Sequence, residues 1–307
     1  MLINNVEELL NYINDDNNPY KDIKFVDSFD YEKMIDYLNK HLDDYKNGLF
    51  LAYCYEEGYG VEIDYFKSFE IVKSYADLGY AKVQYTLGYS YSKGIGVEED
   101  KSEALKWYKL AAKQGYARAL HNVGYFYSNG IGVEEDKNES FKWYKMAAEK
   151  GAPNSQNLLG YYYSAGIGVN RDENEAFRWY KLAAEQGYAR AQHNLAECYQ
   201  NGSGIDENKK EAFKWYKLAA EQGDLDAQYN LACCYRKGQG VEKDEKEALK
   251  WYKKALEQDI DGTHQFIDND VEVIMKQLDQ FEWSDPSELK GDVKPKYYLD
   301  EIYSKKK

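Results

Sequence analysis

Residues 80–115 read YAKVQYTLGYSYSKGIGVEEDKSEALKWYKLAAKQG, and this stretch decides the fold. In its first half Val83, Leu87, Gly88 and Tyr91 fall at i, i+4, i+5 and i+8, one face of a helix. In its second half Ala104, Trp107, Tyr108, Ala111 and Ala112 fall at i, i+3, i+4, i+7 and i+8, the face of a second amphipathic helix. Asp100 offers a side-chain oxygen to the free N–H groups that open this second helix, and Glu103 completes the pattern of a capping box. Gly115 stands where a helix wants a left-handed residue just past its end.

The unit repeats. Tryptophans at 107, 143, 179, 215 and 251 are each 36 residues apart, and a Gly-x-Gly element starts at Gly58, Gly94, Gly130, Gly166, Gly202 and Gly238 with the same period. The cap pair recurs as Asp136/Glu139, Asp172/Glu175, Asn208/Glu211 and Asp244/Glu247. Small residues hold fixed places, Gly88, Gly124, Gly160, Ala196 and Ala232 in the first helix and Ala111, Ala147, Ala183 and Ala219 in the second. They let helix axes approach while Trp, Tyr and Leu fill the remaining space. One such hairpin cannot bury its apolar face alone, so its neighbours must cover it. The expected fold is all-α, an α-solenoid of stacked antiparallel helix pairs.

The pattern A-x-A-x-x-N-L-A-x-x-Y-x-x-G-x-G followed by E-A-F-K-W-Y-K-L-A-A-E-Q-G, at Ala189 to Gly204 and Glu211 to Gly223, resembles the Sel-1-like repeat family, a relative of the tetratricopeptide repeats. The resemblance spans about residues 45–258 and implies a right-handed, tetratricopeptide-like superhelix that works as a protein-binding scaffold or adaptor. Departures are Ile71 at the tryptophan position, Cys233 for Tyr, Pro153 for Ala, and Asp259 where the next glycine would fall. Residues 1–44 read as N-terminal capping helices, with Val6, Leu9, Leu10 and Ile13 and then Met34, Leu38 and Leu42 as their apolar sides. Residues 259–307 read as a C-terminal capping helix, over 271–281, followed by a polar tail.

Composition narrows the function. The chain has 307 residues, a formal charge of −14, and 32 tyrosines. Nucleic-acid binders carry a basic footprint, and this balance is the reverse, so neither nucleic acid nor an anionic membrane is an expected partner. No run of about 18 apolar residues suggests a membrane span, and the N-terminus lacks the basic and apolar regions of a secretory signal. Cys54, Cys198 and Cys234 share one phase of the repeat, too far apart for disulfides; Cys233 and Cys234 point in different directions on one helix. Some secreted relatives staple each repeat with a disulfide. That pattern is missing here, which implies a reducing, intracellular, cytoplasmic setting.

Little chemistry is marked. The Gly-x-Gly element follows a helix and runs into acids, so it reads as a positive-φ loop and not a phosphate cradle. His41, His121, His193 and His264 form no cluster with zinc spacing, so neither a metal nor any other cofactor is expected. No Ser–His or Cys–His pair stands out, and the expectation is that the chain is not an enzyme. The alternatives are an enzyme of the β-lactam-binding kind seen in cysteine-rich relatives, or a structural protein that self-associates through its ends. A monomer is favoured.

By analogy with tetratricopeptide arrays, the first helix of each pair lines the concave face. Val123, Gly124 and Tyr127 then pack inward, and the residues between them face a groove. The resulting ladder is Tyr53, Lys82, Tyr85, Tyr89, Arg118, His121, Asn122, Tyr125, Asn157, Tyr161, Arg190, His193, Asn194, Tyr229 and Asn230. Tyr and Arg are frequent interface anchors, and Asn can both donate to and accept from a peptide backbone. The partner expected there is a peptide or protein.

Overall fold

The computed structural model describes residues 2–13 and 23–258. Trp283, His264, Asp259, the helix expected over 271–281 and the polar tail lie outside the described residues. Two short helices open the chain, α1 (Val6–Ile13) and α2 (Tyr31–Lys40). Six first helices follow, α3 (Tyr45–Glu57), α5 (Ala81–Lys93), α7 (Ala117–Asn129), α9 (Pro153–Ala165), α11 (Ala189–Asn201) and α13 (Leu225–Lys237). They alternate with second helices α4 (Tyr65–Ala76), α6 (Lys101–Lys113), α8 (Lys137–Glu149), α10 (Glu173–Glu185), α12 (Lys209–Glu221) and α14 (Glu245–Gln258). From α3 to α8 each helix packs on the next, and so does each from α10 to α14, the arrangement of an α-solenoid. The chain divides into two compact units, Met1–Tyr162 with Gly166–Asn170, and Tyr163–Ala165 with Arg171–Lys307.

The helices are accompanied by one pair of two-residue strands near the N-terminus. Strands β1 (Leu2–Ile3) and β2 (Lys24–Phe25) pair in parallel, Leu2 with Lys24 and Ile3 with Phe25. The pairing lets Ile3 join Val6, Leu9, Ile13, Met34 and Leu38 in a core that continues into Phe50, Leu51 and Cys54 of α3. Leu42 is exposed, unlike the apolar face expected of it.

Each first helix ends on a left-handed glycine, for example Gly130 at φ 63°, whose N–H donates to the Phe126 carbonyl. Each second helix starts on Asp or Asn, and the Asp100 carboxylate accepts from the Glu103 N–H at 2.8 Å. Only this half of the expected capping box forms. The N–H of Asp100 donates to the Tyr91 carbonyl of the preceding helix, and the same bond recurs from Asp136 to Tyr127 and from Asn208 to Tyr199. It ties the two helices of a pair together. The glutamates are therefore released to other work: Glu139 binds Lys142 and accepts from the Trp143 indole at 2.9 Å, and Glu175 accepts from the Trp179 indole at 3.1 Å.

The deepest large side chain of the second helix is the tyrosine after the tryptophan. Tyr108, Tyr144, Tyr180, Tyr216 and Tyr252 are 1–6% exposed, whereas of the five repeat tryptophans only Trp179 is fully buried. The ring leaves no room on the facing helix: a Cβ on Gly124 would meet the Tyr144 ring at 2.9 Å.

The second glycine of each Gly-x-Gly element touches the repeat before it. Gly132, at φ +64°, lies so close to the start of α6 that an added Cβ would stand 2.6 Å from the Lys101 carbonyl carbon. Gly151 at the end of α8 also has positive φ, but open space surrounds it. Gly132→Ala is thus expected to cost about 2–4 kcal/mol, strain plus backbone collision, and Gly151→Ala only about 1 kcal/mol, the left-handed strain alone. Urea denaturation of the two variants checks the ranking.

Candidate functional site

The ladder resolves into columns, one per helical phase. The first column holds Tyr85, His121, Asn157, His193 and Tyr229, spaced by 36. It is packing. Tyr85 lies 5.5 Å from the Tyr108 ring, His121 5.3 Å from Tyr144, His193 5.7 Å from Tyr216 and Tyr229 5.4 Å from Tyr252, centroid to centroid. Asn157 and His193 are only 8% and 5% exposed, so they do not face a ligand as their spacing predicts. His193 lies between helices, against the buried Tyr216.

The asparagines serve that column. Asn122 lies within reach of the Tyr85 and Tyr108 hydroxyls, and Asn230 Nδ2 sits 3.0 Å from His193 Nε2. Asn194 is half-buried. These amides already have intramolecular work, which makes them poorer grips for a foreign backbone than their spacing suggests.

Tyr53, Tyr89, Tyr125 and Tyr161 form the next column. Tyr53 is half-buried against Phe50 and Tyr59. Tyr89, Tyr125 and Tyr161 are 42%, 49% and 49% exposed, on three successive first helices of the first unit. In the second unit the same phase carries Glu197 and Cys233. The helices α5, α7 and α9 contain no Asp or Glu at all, while Lys82, Lys93 and Arg118 lie on them. An aromatic, hydroxyl-tipped and basic strip therefore lies on an otherwise acidic chain.

Arg190 belongs to the last column, with Lys82 and Arg118. Its guanidinium pairs with Asp226 and lies 3.6 Å from Asp224. Burial works against its charge, but the two carboxylates more than offset this and hold its pKa above the ordinary value.

The structure does bring a serine to a histidine, a pair that the sequence did not mark. His121 Nδ1 lies 2.9 Å from Ser155 Oγ. Ser155 is completely buried, so no substrate reaches its hydroxyl, and the contact joins α7 to α9. Cys54, Cys198 and Cys234 are also buried, and burial pushes the Cys198 and Cys234 thiols up to about 12, far from the thiolate needed for nucleophilic work. Among the described residues no group of three or more His, Cys, Asp or Glu side chains is placed to hold a metal ion. No described helix is long and apolar enough to cross a membrane.

One surface escaped the sequence reading. Ile63, Tyr65 and Phe66 are 57%, 51% and 66% exposed at the entry to α4. The second repeat has Glu99, Lys101 and Ser102 at these places, and the later repeats are likewise charged or polar there. Comparing the repeats position by position, beyond their shared residues, would have revealed it.

Stacked helix pairs with an exposed side-chain strip define the class of helical-repeat interaction scaffolds. The Sel1 repeat model matches residues 49–80, 81–116, 117–151, 153–188, 189–224 and 225–260, and the chain belongs to this family. A Sel1 repeat protein from Oxalobacter formigenes is 35% identical, with a TM-score of 0.65, over 73% of this chain and 91% of that one. A protective antigen of uropathogenic Escherichia coli strains, displaying an SLR fold, is also 35% identical, with a TM-score of 0.71, over 73% of this chain. The present chain spans 48% of that antigen's length. No curated protein matches. Sel1-repeat proteins are generally non-enzymatic and bind other proteins.

Burial lowers the pKa of His121, so the folded chain resists a proton that the unfolded chain accepts near pH 6.5. Its contribution to stability is present above that pH and is lost as pH falls towards the lowered folded value. His121→Gln is therefore expected to flatten the drop in melting temperature between about pH 7 and 5. Parallel curves for the two proteins would show that His121 carries no such linkage.

Proposed function

We propose that the chain is a non-catalytic adaptor that binds an extended peptide or a partner protein along the first-helix face of its first unit. The observation that carries this reading is the exposed row Tyr89, Tyr125 and Tyr161, repeated at one phase beside Lys82 and Arg118. Three rings with polar tips, none needed for the core, suit an interface better than they suit solvent. Within the notional organisation of N-terminal cap (1–44), repeats (45–258) and C-terminal cap (259–307), this face is the concave one. Tyr53, half-buried at the same phase, supports the row from the first repeat.

The absence of any marked catalytic pair in the sequence, with Ser155 sealed in the core, speaks for binding and against chemistry. The acidic balance disfavours nucleic acid and anionic membrane as partners. Four free cysteines suit a reducing, intracellular site of action. A monomer fits an adaptor whose binding face is formed within one chain.

The test replaces Tyr89, Tyr125 and Tyr161 together with Ser and compares captured partners with those of the native chain. Exposed positions carry little stability, so the variant is expected to melt within a few degrees of the native protein. Each removed ring is expected to weaken the partner by about tenfold. An unchanged partner set with an intact fold would refute the assignment of this face.

A further inference from the structure

The two units treat the same cation differently. Arg118 and Arg190 are second residues of α7 and α11 and stand at one phase of the repeat, 72 positions apart. In the second unit the next repeat supplies Asp224 and Asp226, which enclose Arg190. Asp224 also caps α13, accepting from the Ala227 N–H at 2.9 Å. In the first unit the places of these two acids are taken by Ala152 and Asn154. Arg118 is exposed and makes no ion pair among the described residues. Neither α7 nor α9 is capped by a side chain from its N-cap residue, Tyr116 or Ala152. Asn154 Oδ1 accepts from the Ser155 N–H at 2.9 Å, and its neutral amide adds no charge.

The second unit thus displays, in its own side chains, what this position of the repeat binds: a carboxylate beside a guanidinium at the opening of a helix. The first unit keeps the guanidinium and omits the carboxylate. An exposed Arg beside helix N-termini attracts anions through charge and through the helix dipole. Lys82 and Lys93 lie on α5, which like α7 and α9 contains no Asp or Glu to pair with the guanidinium.

We propose that Arg118 recognises a carboxylate side chain of an acidic partner segment, with Tyr89 and Tyr125 flanking the bound chain. The proposal rests on the first-unit face being the binding face and names its partner class: an acidic, extended protein segment. In the second unit Asp224 and Asp226 already fill the equivalent place, and Glu197 stands where the tyrosine row would continue, so the same segment is repelled there.

The experiment probes the full chain on an array of random immobilised peptides. The native chain is expected to retain peptides rich in Asp and Glu. Arg118→Ala, and separately Asn154→Asp, which rebuilds the internal carboxylate, should each cut acidic-peptide retention by about tenfold, the size of one charge-assisted contact. Arg190→Ala should leave retention unchanged, and added salt should weaken it. Retention without acidic enrichment, or with enrichment indifferent to both first-unit variants, overturns the carboxylate proposal. If Tyr125→Ser still lowers that retention, the binding face itself survives. Failure to retain any peptide, or retention indifferent to Tyr125→Ser, overturns the face and the proposal together.

Discussion

Each repeat of this chain leans on the backbone of the one before it. The second glycine of the Gly-x-Gly element is held against the opening carbonyl of the preceding second helix, at Lys101 for Gly132 and at Lys137 for Gly168. No side chain fits between them. This contact fixes how far one helix pair sits from the next, and with it the space that the buried tyrosines fill. Any residue but glycine would have to open the stack or strain the loop. A constraint set by main-chain atoms tolerates wide variation in the side chains around it.

That freedom shows in the division of labour along the second helix. Tyrosine closes the gap between the helices of a pair, and the neighbouring tryptophan lies at the edge of the core, its indole directed in two repeats to the glutamate one turn earlier. The glutamate can serve it because the N-cap N–H is already satisfied by a carbonyl of the first helix. Capping, pairing of the helices and orientation of the indole are one linked hydrogen-bond arrangement, so a change at any member disturbs the others. The first repeat, with Lys67 and Ile71 in place of Glu and Trp, loses the indole bond but retains the bond from Asp64 to the Tyr55 carbonyl.

The same frame carries different surfaces. On α5, α7 and α9 of the first unit the exposed positions include Tyr, Lys and Arg and no acid. In the second unit they include Glu197 and an arginine already matched by Asp224 and Asp226. A solenoid permits this because the buried contacts that hold one repeat to the next leave its exposed positions free to vary. Self-neutralisation in one unit and an open cation in the other are alternative uses of a single register.

The period of 36, the two helices, their caps and the positive-φ loops were legible in the sequence, because each depends on local geometry: side-chain spacing around one helix, or the few residues that tolerate a left-handed backbone. Which ladder residues face a partner was not. Asn157, His193 and Tyr161 look alike by spacing, yet two are buried and one is exposed. That difference arises between helices, from rings on the second helix claiming one column and leaving the next to solvent. Likewise the parallel pairing of Ile3 with Phe25, the contact of His121 with Ser155, and the unpaired state of Arg118 beside the paired Arg190 depend on segments brought together from a distance. Periodicity specifies directions around one helix; only packing decides what stands in each direction.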